Sequence, residues 1–204
     1  MTAARSDTPK TLLQMAGADL DPSTLSESVL VVIDAQNEYR SGGIPLPGVD
    51  AAVGEIAALL RRARAAGTPV VHVQHRGRPG GAFDVEAERG RIMDEVAPAA
   101  GEPVVQKPLP NAFADTDLGE RLAASGRKQL IVTGFMTHMC VSSTARAALD
   151  HGYRVTIPAA ACATRDLPAP DGGIVKAADL HRAALAGLAD RFAIVARDAA
   201  AVPD

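Results

Sequence analysis

The chain has 204 residues, 47% hydrophobic and 22% charged, with a formal net charge of −3, which suits one compact α/β domain and offers no basic stripe for nucleic acid. Aromatic residues supply only 3% and Trp is absent, so the core has to be built from Val, Ile, Leu and Ala. No apolar run approaches the ~20 residues of a membrane span, the first residues lack a secretory core and cleavage site, and two cysteines do not make a disulfide framework; a cytoplasmic protein with no membrane partner is expected.

Apolar runs alternate with helical patterns along the chain. "VLVVID" (29–34) is a β-branched strand ending in an acid. "VDAAVGEIAALLRRARAAG" (49–67) has helical spacing, Arg in its last turn and Gly67 as its stop. "PVVHVQH" (69–75) predicts a second strand, and the loop-like stretch 77–91 predicts a short helix from Asp84. "PVVQKP" (103–108) is a third strand, "TDLGERLAASG" (116–126) a helix, and "QLIVTGF" (129–135) a fourth strand. "CVSSTARAALDHG" (140–152) is a helix opening at Cys140, and "YRVTIPAAAC" (153–162) a fifth strand. A helix over 173–190 and a sixth strand, "RFAIVAR", close the pattern. Strands apolar on both faces with helices between them imply right-handed parallel crossovers, hence a three-layer α/β/α fold with a six-stranded, mainly parallel, Rossmann-like sheet, whose expected strand order is 3-2-1-4-5-6. The expected organisation is an N-terminal arm over 1–28 and a single domain over 29–204.

Ligands of open parallel sheets sit outside the carboxyl ends of the strands. The polar residues at those ends are Asp34, His75, Lys107 and, just past strand four, Cys140. A helix N-terminus favours thiolate over thiol, and a nearby Lys107 acts the same way, so a thiol of lowered pKa is expected. Asp34 is placed to accept the thiol proton, giving base, cation and nucleophile at one sheet edge. Each has a plainer alternative: an acid ending a strand is often a loop anchor, Lys107 a solvated loop residue, and a lone Cys a small buried hydrophobe.

The three segments "VVIDAQNEY", "VVQKPLPNAF" and "VTGFMTHMCVSSTARAALDHGY" resemble those of the isochorismatase-like cysteine hydrolases, a superfamily that includes nicotinamidases and N-carbamoylsarcosine amidohydrolase. The resemblance runs from Val29 to Arg197. It implies a triad of Asp34, Lys107 and Cys140, and a cis peptide between Phe135 and Met136 that aims the Met136 amide, with that of Cys140, at a tetrahedral oxyanion. It also implies hydrolysis of an amide or carbamoyl C–N bond of a small molecule through a thioester. The expected assembly is a homodimer or homotetramer.

Metal-dependent nicotinamidases carry an aspartate and histidines after the second strand. Here no histidine follows His75 until His138, and one His cannot close a metal site, so no metal and no cofactor are expected. Isochorismatases that cleave a vinyl ether lack the cysteine, so a vinyl-ether or other non-amide hydrolase is the alternative, followed by a non-catalytic binding protein on this fold. The acid often found late in strand five is Ala160 here, and the serine common after the lysine segment is Asn111. Gln36, Tyr39, Phe135 and Thr137 are candidate substrate-binding residues; against this, Gln36 would brace the loop, Phe135 would pack in the core, and Thr137 would bond local backbone. Cys162 has no CxxC partner and reads as inert. A dinucleotide module would need a Gly-rich turn after strand one, which "VVIDAQNEYRSGG" lacks.

Overall fold

The computed structural model describes residues 8–204; the first seven residues of the expected arm lie outside the described residues. The strands are β1 (Ser28–Ile33), β2 (Val70–His75), β3 (Val104–Lys107), β4 (Gln129–Phe135), β5 (Arg154–Pro158), β6 (Cys162–Ala163), β7 (Leu167–Pro168), β8 (Ile174–Val175) and β9 (Ile194–Ala196). The helices are α1 (Leu12–Met15), α2 (Val49–Ala65), α3 (Leu118–Ala124), α4 (Ser142–Asp150) and α5 (Ala177–Arg191). The main sheet runs β3-β2-β1-β4-β5-β9, every pairing parallel, which is the expected order with β9 as the sixth long strand.

The apolar runs are continuous because both faces of the sheet are covered. In β1, Leu30 and Val32 belong to one core cluster with Ile56 and Leu59 of α2, while Val31 and Ile33 belong to a second with Leu122 of α3 and Leu188 of α5. Helix α2 ends as its sequence predicts, with Arg62 and Arg64 in the last turn and Gly67 at φ 67°. Arg62 also donates to the Ala199 and Val202 carbonyls, fastening the C-terminal segment to the helix. The arm packs back onto the domain: Thr11 caps α1, and the Leu12 N–H donates to Asp190 of α5 at 2.8 Å.

Four local expectations are corrected. No helix starts at Asp84, because its carboxylate accepts the Gly80 and Glu86 N–H groups and turns the chain instead. The fifth strand stops at Pro158; a 3-10 turn follows, and Cys162–Ala163 crosses over to pair with Gly134 and Phe135 of β4. Ile174 and Val175, expected to be helical, form a two-stranded ladder with Leu167 and Pro168. The helix expected to open at Cys140 is preceded by a π-helical turn, Thr137–Val141, so Cys140 lies inside the helical run rather than at its first residue.

Gly134 of β4 lies against Ile33 of β1. Its φ is +111°, and a Cβ there would stand 1.9 Å from the Ile33 carbonyl oxygen. Gly134→Ala is therefore expected to cost at least about 1–3 kcal/mol from backbone conformation alone, read as a lower midpoint of thermal unfolding. An unchanged midpoint would contradict this packing.

Candidate active site

Three parallel strand ends build the site. Asp34 leaves β1 at φ 50°, a left-handed conformation that Asp tolerates better than most side chains, and its N–H still donates to Val73 on β2. Lys107 ends β3, in register with His75 of β2. Its inward direction follows from strand period: Val104 and Gln106 are exposed, Val105 and Lys107 buried. Cys140 arrives from the π-helical turn, where the Val141 N–H reaches back five residues to the Met136 carbonyl. Single π-turns of this kind often re-aim a side chain at a functional position.

These residues meet. The Lys107 Nζ lies 2.7 Å from Asp34 Oδ2 and donates to Cys140 Sγ at 3.3 Å and to His75 Nδ1 at 3.2 Å. Asp34 and Lys107 are fully buried, and Cys140 is 5% exposed. Burial raises the Asp34 pKa above its ordinary value, with Lys107 opposing. Burial and then the Asp34 charge push the Cys140 thiol up to about 12, against the pull of Lys107. The acidified thiol expected from the sequence is thus not what these surroundings produce: desolvation and the Asp34 charge outweigh the lysine. One ammonium lies within reach of both the Asp34 carboxylate and the Cys140 sulfur, so it can support one negative charge on either. Iodoacetamide at neutral pH is expected to label Cys140 more slowly than a free thiol, yet before Cys162, which is pushed up equally and has no lysine beside it. Cys162 labelling first, by peptide mapping, would contradict this.

Of the other sequence candidates, Gln36 and Thr137 have their side-chain polar atoms committed to protein partners. Gln36 donates to the His75 and Gly90 carbonyls and accepts from the His75 N–H, tying the loop after β1 to the end of β2. Thr137 bonds to His181 Nδ1 at 2.9 Å. Phe135 is fully buried, and Tyr39 packs edge-on between it and Phe83. Glu38, also buried, binds Arg89 and the Gly43 N–H, stapling the loops after β1 and β2 together. The Phe135–Met136 peptide is cis, and the Met136 N–H donates to no protein acceptor among the described residues.

His75, named among the strand-end residues but given no role, stands against Lys107, a contact that follows from the parallel register of β2 and β3 once their ends are aligned. Arg165, in the segment after β6, has a buried Nε with no hydrogen-bond partner among the described residues. The His138 Nε2 is in the same condition, while its Nδ1 bonds to Thr164. No local pattern marks Arg165. Among the described residues no three His, Cys, Asp or Glu side chains gather as a metal-binding group, and no helix is long and apolar enough to cross a membrane. A groove of about 670 Å³ lies at the opposite end of the strands, around Val29, Val70 and Glu102, and includes none of the site residues.

A secreted isochorismatase effector of Verticillium dahliae is 43% identical over 175 residues, covering 84% of this chain and 89% of the effector. A maleamate amidohydrolase of Pseudomonas putida is 37% identical over 145 residues, covering 63% of this chain and 68% of that enzyme. The crystal structure of an isochorismatase from Pseudomonas putida KT2440 superposes with a TM-score of 0.91 at 45% identity, covering 96% of this chain and all of that one. The isochorismatase domain model matches residues 28–200, from the first residue of β1 to beyond β9, and so takes in every strand that carries the site. This chain belongs to the isochorismatase family of hydrolases.

Proposed function

We propose that the protein is a cysteine-dependent amidohydrolase that cleaves an amide or carbamoyl C–N bond of a small molecule. The observation that carries this reading is the position of the Lys107 ammonium, 2.7 Å from Asp34 and 3.3 Å from the Cys140 sulfur. It supports the negative charge both before and after the proton moves from thiol to carboxylate. The amidohydrolase among the relatives favours the same bond type.

In the proposed sequence Asp34 removes the Cys140 proton and the thiolate attacks the carbonyl carbon. The Met136 and Cys140 N–H groups receive the oxyanion. Collapse expels the amine, which takes the proton back from Asp34, and leaves a thioester on Cys140. Asp34 then activates a water that attacks the thioester, releasing the acid and restoring the thiol. The raised Asp34 pKa suits a group that accepts and returns a proton in each half-reaction. The two unpaired, buried thiols favour a reducing compartment, and we assign the protein to the cytoplasm.

The test is hydrolysis of a panel of small amides, read as ammonia release from primary amides and carbamoyl compounds and as release of the ring-opened amino acid from cyclic amides, against a Cys140→Ala control. Release by the wild type and none by the control supports the reading; equal release by both would overturn it. Since a thiolate rather than a metal-bound hydroxide attacks, hydrolysis is also expected to survive exhaustive chelation. Activity lost to EDTA and restored by zinc or manganese would refute that mechanism.

A further inference from the structure

We propose that His75 is a positioning residue: its Nδ1 accepts an N–H of the Lys107 ammonium and holds that cation between Asp34 and Cys140. The inference rests on the amidohydrolase reading for its consequence in catalysis, but its geometry stands alone. An ammonium has three donors and no acceptor. Lys107 is fully buried; it donates hydrogen bonds to Cys140 Sγ at 3.3 Å and His75 Nδ1 at 3.2 Å and pairs its charge with Asp34 Oδ2 at 2.7 Å.

The chemistry of the contact fixes the imidazole state. Lys107 can only donate, so Nδ1 carries the lone pair and the ring proton sits on Nε2. Burial, and then the lysine charge, hold the His75 pKa down to about 4, so the ring stays neutral at neutral pH and adds no second cation. The ring is itself held in place. Its backbone N–H donates to Gln36, and Phe83 packs against its edge at 5.1 Å. The chain of support runs from the loop after β1, through Gln36 and His75, to Lys107. Without the Nδ1 acceptor the lysine side chain keeps two partners and gains a rotation, and the distance to sulfur is no longer set.

Three variants separate a lone pair from mere bulk. His75→Asn places an amide oxygen near the Nδ1 position, His75→Gln places it further out, and His75→Leu supplies none. With an amide substrate, Leu and Gln are expected to lower kcat by about tenfold or more with KM within about threefold, and Asn to stay within about threefold of wild type. Thermal unfolding identifies any variant that does not fold; if Leu fails, the Asn and Gln pair decides. A second measurement needs no substrate: the rate at which iodoacetamide modifies Cys140 near neutral pH, followed by peptide mass, should fall in the same order. If wild type hydrolyses no amide, the functional reading fails while the alkylation series still tests His75. Equal rates in all four proteins, an Asn variant as impaired as Leu, or an effect confined to KM would overturn the positioning role.

Discussion

Cys140→Ala is expected to lower amide hydrolysis by roughly 10⁴-fold or more, a loss of about 5.5 kcal/mol of transition-state stabilisation. The size follows from the chemistry: without sulfur no thioester forms, and the remaining groups are a lysine, a carboxylate and N–H donors. Fold should survive, because Cys140 is a small side chain within the cluster that includes Val141 and Ala145. Measured kcat/KM for any substrate found in the amide panel decides it, with circular dichroism as the control. A variant that keeps more than a few per cent of activity would exclude sulfur as the nucleophile.

Lys107→Met is the second change with a large expected effect, and it acts on stability as well as rate. Asp34 and Lys107 are both fully buried, 2.7 Å apart, so removing the lysine leaves a carboxylate without its cation in the core. Breaking one side of such a pair typically costs about 3–5 kcal/mol. Burial already raises the Asp34 pKa, with Lys107 opposing, so losing Lys107 raises it further. A carboxylate whose folded pKa is raised makes the folded state less stable as pH climbs from its unfolded value, ~3.9, through its folded one. The variant should therefore recover stability as pH falls toward ~4, whereas wild type should show less of this trend. Adding Asp34→Asn to Lys107→Met should restore most of the lost stability at neutral pH and none of the activity. Denaturant unfolding of the single and double variants tests the coupling. A Lys107→Met protein as stable as wild type at neutral pH would show that the pair is not carrying a buried charge.

Much of the architecture was legible because it depends on local chemistry. A strand covered on both faces must be apolar throughout, so β1, β2 and β4 announce themselves, and a helix between parallel strands fixes the handedness of the crossover. The errors fall where a side chain outside the local pattern intervenes. The Asp84 carboxylate captured N–H groups that a helix would have used. Residues 162–163 left the fifth strand because the end of β4 offered them a ladder.

At the site, the strand-end pattern put Asp34, His75, Lys107 and Cys140 at one sheet edge, and the family resemblance, rather than spacing, selected Asp34, Lys107 and Cys140 among them; the structure brings those three together. What the sequence could not hold is the balance of charges among them. Proximity to a lysine and a helix turn suggests an acidified thiol, but burial depth and the distance to Asp34 reverse the sign, and both are properties of packing. The same holds for His75, whose identity is visible but whose partner is not. Its Nδ1 meets Lys107 because two parallel strands end level, an alignment set by the register of the whole sheet. Sequence therefore determined which chemical groups this protein carries and at which sheet edge. Tertiary structure decided which of them hold the proton and the charge, because desolvation and electrostatic interaction depend on ångström-scale distances that no spacing along the chain encodes.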